Sequence, residues 1–134
     1  MLGLDSNDLI RFLTRDDPTQ FELARKLFER ADDGTLFLST VVLVEVNWVL
    51  RRVYRRPRID VLEVLDELMD TRQFTIDQRE LVIGAIASAR AVGCDFSDAL
   101  IALQNEALGC NRTATFDEKA IRLEQMISVD EVTA

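Results

Sequence analysis

The feature that most restricts the fold is a repeated pairing of a short apolar run with a helical stripe. Leu36-Phe37-Leu38, followed by Ser39-Thr40 and a long apolar-rich segment, is its clearest instance. Met1-Leu2-Gly3-Leu4 before Asp5, Phe74-Thr75-Ile76 before Asp77, and the strand Arg112 to Phe116 before Asp117 repeat it. Runs this short read as buried strands, whereas the intervening segments carry apolar residues at helical spacing. Strands separated by helices cannot close hairpins and pair in parallel instead. The expected class is α/β, with a short, mainly parallel central sheet flanked by helices. Met126-Ile127-Ser128-Val129 reads as a last strand before a polar tail. With 134 residues, no repeat and no linker, one domain over 1–134 is expected.

Local signals sharpen the helices. Asp17 is placed to cap a helix opening with Pro18, whose inner face carries Phe21, Ala24, Leu27, Phe28 and Ala31. Asp77-Gln78-Arg79-Glu80 fits a capping box, which gives Asp77 a structural role. The helix begun at Ser39-Thr40 is expected to run to about Tyr54. Glu45 lies inside it with Val41, Val42, Trp48 and Val49 as helical neighbours, so it is expected to face the core, with Trp48 as core beside it. A carboxylate so placed is costly unless paired or metal-bound. The segment from Gly93 reads as a turn, then a helix whose first turn carries Asp95 and Asp98 and whose body, Ala99 to Leu103, is apolar.

Composition removes several chemistries. No histidine is present, so no Ser-His-Asp triad and no histidine-ligated zinc can be built. Cys94 and Cys110, each beside a turn glycine, read as small apolar fillers and suit a reducing compartment. Asp5 and Asp8 interrupt any N-terminal signal sequence, and Glu45 and Asn47 break the longest apolar run, so a cytoplasmic protein without a membrane span is expected. The net charge of −8 opposes tight binding of a polyanion by acidic surface alone. One concentrated basic stretch, Arg51, Arg52, Arg55, Arg56 and Arg58, offers phosphates or an acidic partner a place to dock.

Ligands of open parallel sheets bind beyond the carboxyl ends of the strands. Asp5 and Asp117 follow strands directly, Asp98 opens a helix at that edge, and Glu45 lies about a turn and a half into the helix after the second strand. Each of the three aspartates could be a helix cap, but four clustered carboxylates without histidine or thiolate suit Mg²⁺ or Mn²⁺. Such ions hold phosphodiesters and activate water.

Leu4-Asp5-Ser6-Asn7, Leu38-Ser39-Thr40 with Glu45, Asp95-Phe96-Ser97-Asp98-Ala99-Leu100 and Ala114-Thr115-Phe116-Asp117, in this order and spacing, resemble the PIN domain. Order, length and wording are most similar to the VapC-type toxins of bacterial toxin–antitoxin pairs. The resemblance implies a metal-dependent endoribonuclease that hydrolyses RNA with metal-activated water. It implies Asp5, Glu45 and Asp98 as core acids, Asp117 as the more variable fourth, and Asp95 as an auxiliary acid. Asn7 and Thr115 match polar positions that support the carboxylates. A homodimer and a small cognate antitoxin are implied as well, with Arg51, Arg52, Arg55 and Arg56 as candidate contacts to RNA or partner.

Two other classes compete. A dehalogenase-like phosphatase would carry a second Asp two residues after Asp5, where Asn7 stands. A receiver or phosphotransfer domain would need adjacent acids and a late lysine, and Lys119 follows Asp117 too closely for that. A non-catalytic module gripping a basic partner with its acids would also fit the negative charge.

Overall fold

The computed structural model describes residues Met1–Ala134 and has the expected α/β character, with every strand pairing parallel. Its contacts divide it into two compact units, Met1–Gln78 and Arg79–Ala134.

The first unit runs β1 (Leu2–Gly3), α1 (Ser6–Thr14), α2 (Pro18–Arg30), β2 (Leu36–Leu38), α3 (Thr40–Arg52), α4 (Arg58–Met69) and β3 (Phe74–Ile76). Its sheet has the order β1-β2-β3, with Leu2 opposite Leu36 and Leu38 opposite Ile76. The ladder continues past the strand ends, where the Leu4 amide donates to Phe37 O at 3.0 Å and the Asp77 amide to Leu38 O at 2.9 Å. Leu36 and Leu38 are buried, as are Leu43, Val46 and Leu50 of α3 and Leu62 and Leu65 of α4. A chain of rings joins α1, α2 and β3. Phe12 stacks on Phe21 at 5.5 Å, and Phe28 meets Phe12 and Phe74 edge-on at 5.1 and 5.5 Å. Such pairs add to stability beyond the area they bury.

The second unit contains α5 (Arg79–Val92), α6 (Phe96–Ala107), β4 (Thr113–Thr115), a 3₁₀ turn (Ala120–Arg122), β5 (Met126–Ser128) and α7 (Val129–Thr133). β4 and β5 pair from Thr113–Met126 to Thr115–Ser128. Gly84 lets α5 approach α6 closely, since a Cβ there would lie 3.2 Å from Leu103 Cδ1. Asn105 Nδ2 donates to Thr113 Oγ1 at 3.0 Å, fixing the end of α6 to β4. No helix is long and apolar enough to cross a membrane.

Several expectations change in detail. Asp17 does cap α2, accepting from the Gln20 amide at 3.0 Å, with Pro18 in the first helical turn. Asp77 does not form the expected capping box: Gln78 adopts φ 49 and α5 opens only at Arg79, which leaves Asp77 to extend the β2–β3 ladder. The polar tail is not irregular, because Ser128 caps the short helix α7. Met1 and Leu2 are exposed, and Leu4 is the apolar residue of that run that is buried. Cys94 is buried as expected, but Cys110 is exposed and fills no core space.

Gly34 is where backbone conformation demands glycine. Its φ is 71, its amide donates to Arg72 O at 2.9 Å, and its carbonyl accepts from Thr75 Oγ1 at 2.8 Å. A methyl group there would also come within 3.3 Å of Thr75 Oγ1. Gly34→Ala is therefore expected to lower unfolding stability by about 1–2 kcal/mol in urea melts. Gly3→Ala, with open space around the new Cβ, should change it little. Equal effects of the two substitutions would contradict this account of the β2 entry.

Candidate metal and nucleic-acid site

In the first unit the chain leaves β1 and turns at once into α1, and Asp5 stands at that junction as N-cap. Its Oδ1 accepts from the Ser6 amide at 2.8 Å, while its own amide donates to Asp8 Oδ2 at 3.0 Å. Asp5 and Asp8 thus form a reciprocal capping box, a role for Asp8 that was readable in the Asp-x-x-Asp spacing. Ser6 is only 6% exposed, and its Oγ donates to Glu45 Oε2 at 2.8 Å. A buried hydroxyl that follows Asp5 therefore orients the carboxylate of Glu45 from the adjacent helix. Sequence reasoning missed Ser6 and favoured Asn7, which is exposed on α1.

Glu45 itself is exposed, contrary to expectation, and so is Trp48. The reason is that α3 is apolar almost all round, so periodicity does not select its inner face. The face that is buried carries Leu43, Val46, Asn47 and Leu50, with Asn47 only 3% exposed.

In the second unit the acids gather around the start of α6. Asp95 is its N-cap, accepting from the Ser97 amide at 3.0 Å. Asp117 follows β4 and caps the 3₁₀ turn, its Oδ1 accepting from the Lys119 and Ala120 amides at 2.9 and 2.8 Å. Thr115 Oγ1 accepts from the Asp117 amide at 3.0 Å, so Thr115 shapes the loop that presents this carboxylate. Asp98 is half-buried on the first turn of α6. Burial raises its pKa above the ordinary value of 3.8, and the charges of Asp117 and Asp95 raise it further. Three anions thus lie within electrostatic reach of one another, and the central one carries the cost.

In neither unit do three or more acidic or thiol side chains approach closely enough to grip an ion by themselves. The donor chemistry nevertheless fits a hard divalent cation. All the candidate donors are carboxylate oxygens, and the charge that disfavours ionised Asp98 is the kind a bound cation reverses. A concavity of about 660 Å³ in the first unit is lined by Met1, Leu2, Leu23, Leu27 and Leu36 and contains none of the candidate acids.

Of the arginine run, Arg52 and Arg55 are exposed, and Arg51 and Arg56 are half-buried. Arg51 Nη1 donates to Arg56 O at 3.4 Å, and the Arg56 amide donates to Leu50 O at 2.9 Å. These two residues shape the turn after α3, which ends at Arg52 rather than near Tyr54.

The model of the PIN domain family matches residues 3–125. No curated protein gave a match to the chain.

The shifted Asp98 predicts a pH dependence. A carboxyl whose folded pKa lies above its unfolded value makes the folded state bind more protons, so its contribution to stability falls as pH rises from about 4 through the raised value. At neutral pH without divalent metal, Asp98→Asn should therefore melt higher than wild type, and the gap should close below about pH 4. A variant that melts lower at pH 7, with EDTA present, would contradict the repulsion.

Proposed function

Because the chain belongs to the PIN-domain family, whose members are generally nucleases, we propose that it is a metal-dependent endoribonuclease acting as the toxin of a type II toxin–antitoxin pair. The family match over most of the chain carries this reading. It is supported by an acid, Asp98, whose pKa is raised by burial and by the charges of Asp117 and Asp95.

On this reading Asp5, Glu45, Asp98 and Asp117 hold Mg²⁺ or Mn²⁺, with Asp95 as an auxiliary acid. The bound cation would lower the pKa of a water and stabilise charge on the phosphodiester. The remaining work falls to this chain's own side chains. Ser6 holds one oxygen of Glu45 at a defined angle, and the capping amides hold one oxygen each of Asp5 and Asp117. Carboxylates fixed in this way need less reordering when they bind an ion. Thr115 supports Asp117, and Asn7 is left to contact substrate or solvent. Asp98 takes up a proton more readily than an isolated aspartate, and no histidine is available for that task. The arginines after α3 supply positive charge for RNA in a chain whose net charge is −8. A homodimer and a small antitoxin complete the proposal.

Purified protein freed of any partner should cut total RNA internally in Mg²⁺ or Mn²⁺, and EDTA should stop it. Sequenced ends should carry 5′-phosphate and 3′-hydroxyl groups, and Asp5→Asn or Asp98→Asn should lower the rate by at least about a hundredfold. Cyclic-phosphate ends, or cutting that survives EDTA, would refute the mechanism. For the toxin role, induced expression in a bacterial host should arrest growth, and Asp98→Asn should not. Arrest by both proteins would separate toxicity from nuclease activity.

A further inference from the structure

Helix α3 exposes a stripe that the hydrolytic centre does not explain. Val41 is 64% exposed and Trp48 57%, with Glu45 exposed between them and Arg52 exposed one turn beyond. These positions share one face of the helix. A large indole left in solvent loses the burial that usually accounts for tryptophan in a chain of this size. Trp48 lies three residues after Glu45, about 4.5 Å along the helix axis, and Arg52 about 6 Å further on.

Resting on the nuclease reading, we propose that Trp48 is a stacking platform for a single unpaired RNA base next to the bond being cut, with Arg52 and Arg55 holding the phosphates beyond it. A protein-docking face is depleted of acidic residues at its centre, though it accepts arginine. Here the acid Glu45 borders the indole on the same stripe. The exposed cations Arg52 and Arg55 stand in a chain of net charge −8, so the local charge complements a polyanion. An aromatic face beside guanidinium groups is the arrangement that binds single strands, whose bases are free to stack. A duplex covers those faces, so the Trp48 platform is one that an unpaired base can use and a paired base cannot. Trp48 is a positioning residue for substrate, not a catalytic one.

Trp48 is the only tryptophan, so its emission reports on this face alone. The probe is a single-stranded octaribonucleotide in Mg²⁺ at low salt, titrated into cleavage-deficient Asp98→Asn protein, with the matching duplex as control. Saturable quenching by the single strand and little by the duplex is expected. On the same background, Trp48→Ala should weaken binding of fluorescently labelled strand by about ten- to a hundredfold, and Trp48→Phe much less. In the otherwise wild-type enzyme, Trp48→Ala should raise KM and leave kcat nearly unchanged. Unchanged emission while RNA binds, equal affinity after Trp48→Ala, or quenching only on self-association or addition of a protein partner would overturn the proposal. Wild-type cleavage with an unaffected KM in Trp48→Ala would remove this inference and leave the nuclease reading standing. Quenching by a wild-type chain that never cleaves RNA would remove the nuclease reading instead.

Discussion

The structure depends on how its parallel strands hand over to helices. Each strand ends where a helix must begin, and the first amides of that helix have no partner within it. Short oxygen-bearing side chains meet this need at Asp5, Ser39 and Ser128, Asp117 does so for the 3₁₀ turn, and Asp95 does the same where α6 follows α5. The geometry that makes a parallel sheet possible therefore also puts a carboxylate after β1 in the first unit and another after β4 in the second. Capping and ion binding are not alternatives for Asp5 or Asp117, because a carboxylate has lone pairs beyond those that its capping amides use. Asp98 is the exception. It caps nothing, and burial together with the charges of Asp117 and Asp95 raises its pKa, a perturbation common at functional sites.

Much of this was legible in the sequence, for reasons that differ by element. Leu36–Leu38 and Phe74–Ile76 are bounded by polar residues on both sides, and their strands begin and end where expected. Asp17-Pro18 announced α2 because proline's fixed φ and missing amide suit a first turn. The inner face of α3 was not legible. Val41, Val42, Leu43, Val44, Val46, Trp48, Val49 and Leu50 leave almost no polar side to mark solvent, and the surface is set by packing against the rest of the first unit. Hence Asn47 is buried where Trp48 was expected, and Glu45 is exposed. The candidate acids were readable as a set, but the hydroxyl of Ser6 that orients Glu45 was not, since a serine at a helix start usually signals only a cap.

Exposure of Glu45 changes the argument for its role without removing it. A buried carboxylate would have needed a partner to survive. An exposed one needs no such partner, yet Glu45 is held by a buried hydroxyl from another helix. A surface glutamate with no duty would lose side-chain entropy for little return in such a bond. On the proposed reading, this bond holds Glu45 ready for a ligand.

The central proposal is that Asp5 and Glu45 of the first unit and Asp98 and Asp117 of the second hold divalent cation. Melting temperature measured across millimolar Mn²⁺ at neutral pH tests it most directly, since an ion bound only by the folded state stabilises it by mass action. Wild type should gain about 5 °C or more at saturation, and Asp5→Asn and Asp98→Asn should each lose nearly all of that gain. Their double variant should then be no less responsive than either single one. An unchanged wild-type melting temperature, or full Mn²⁺ stabilisation retained by either single variant, would contradict the account.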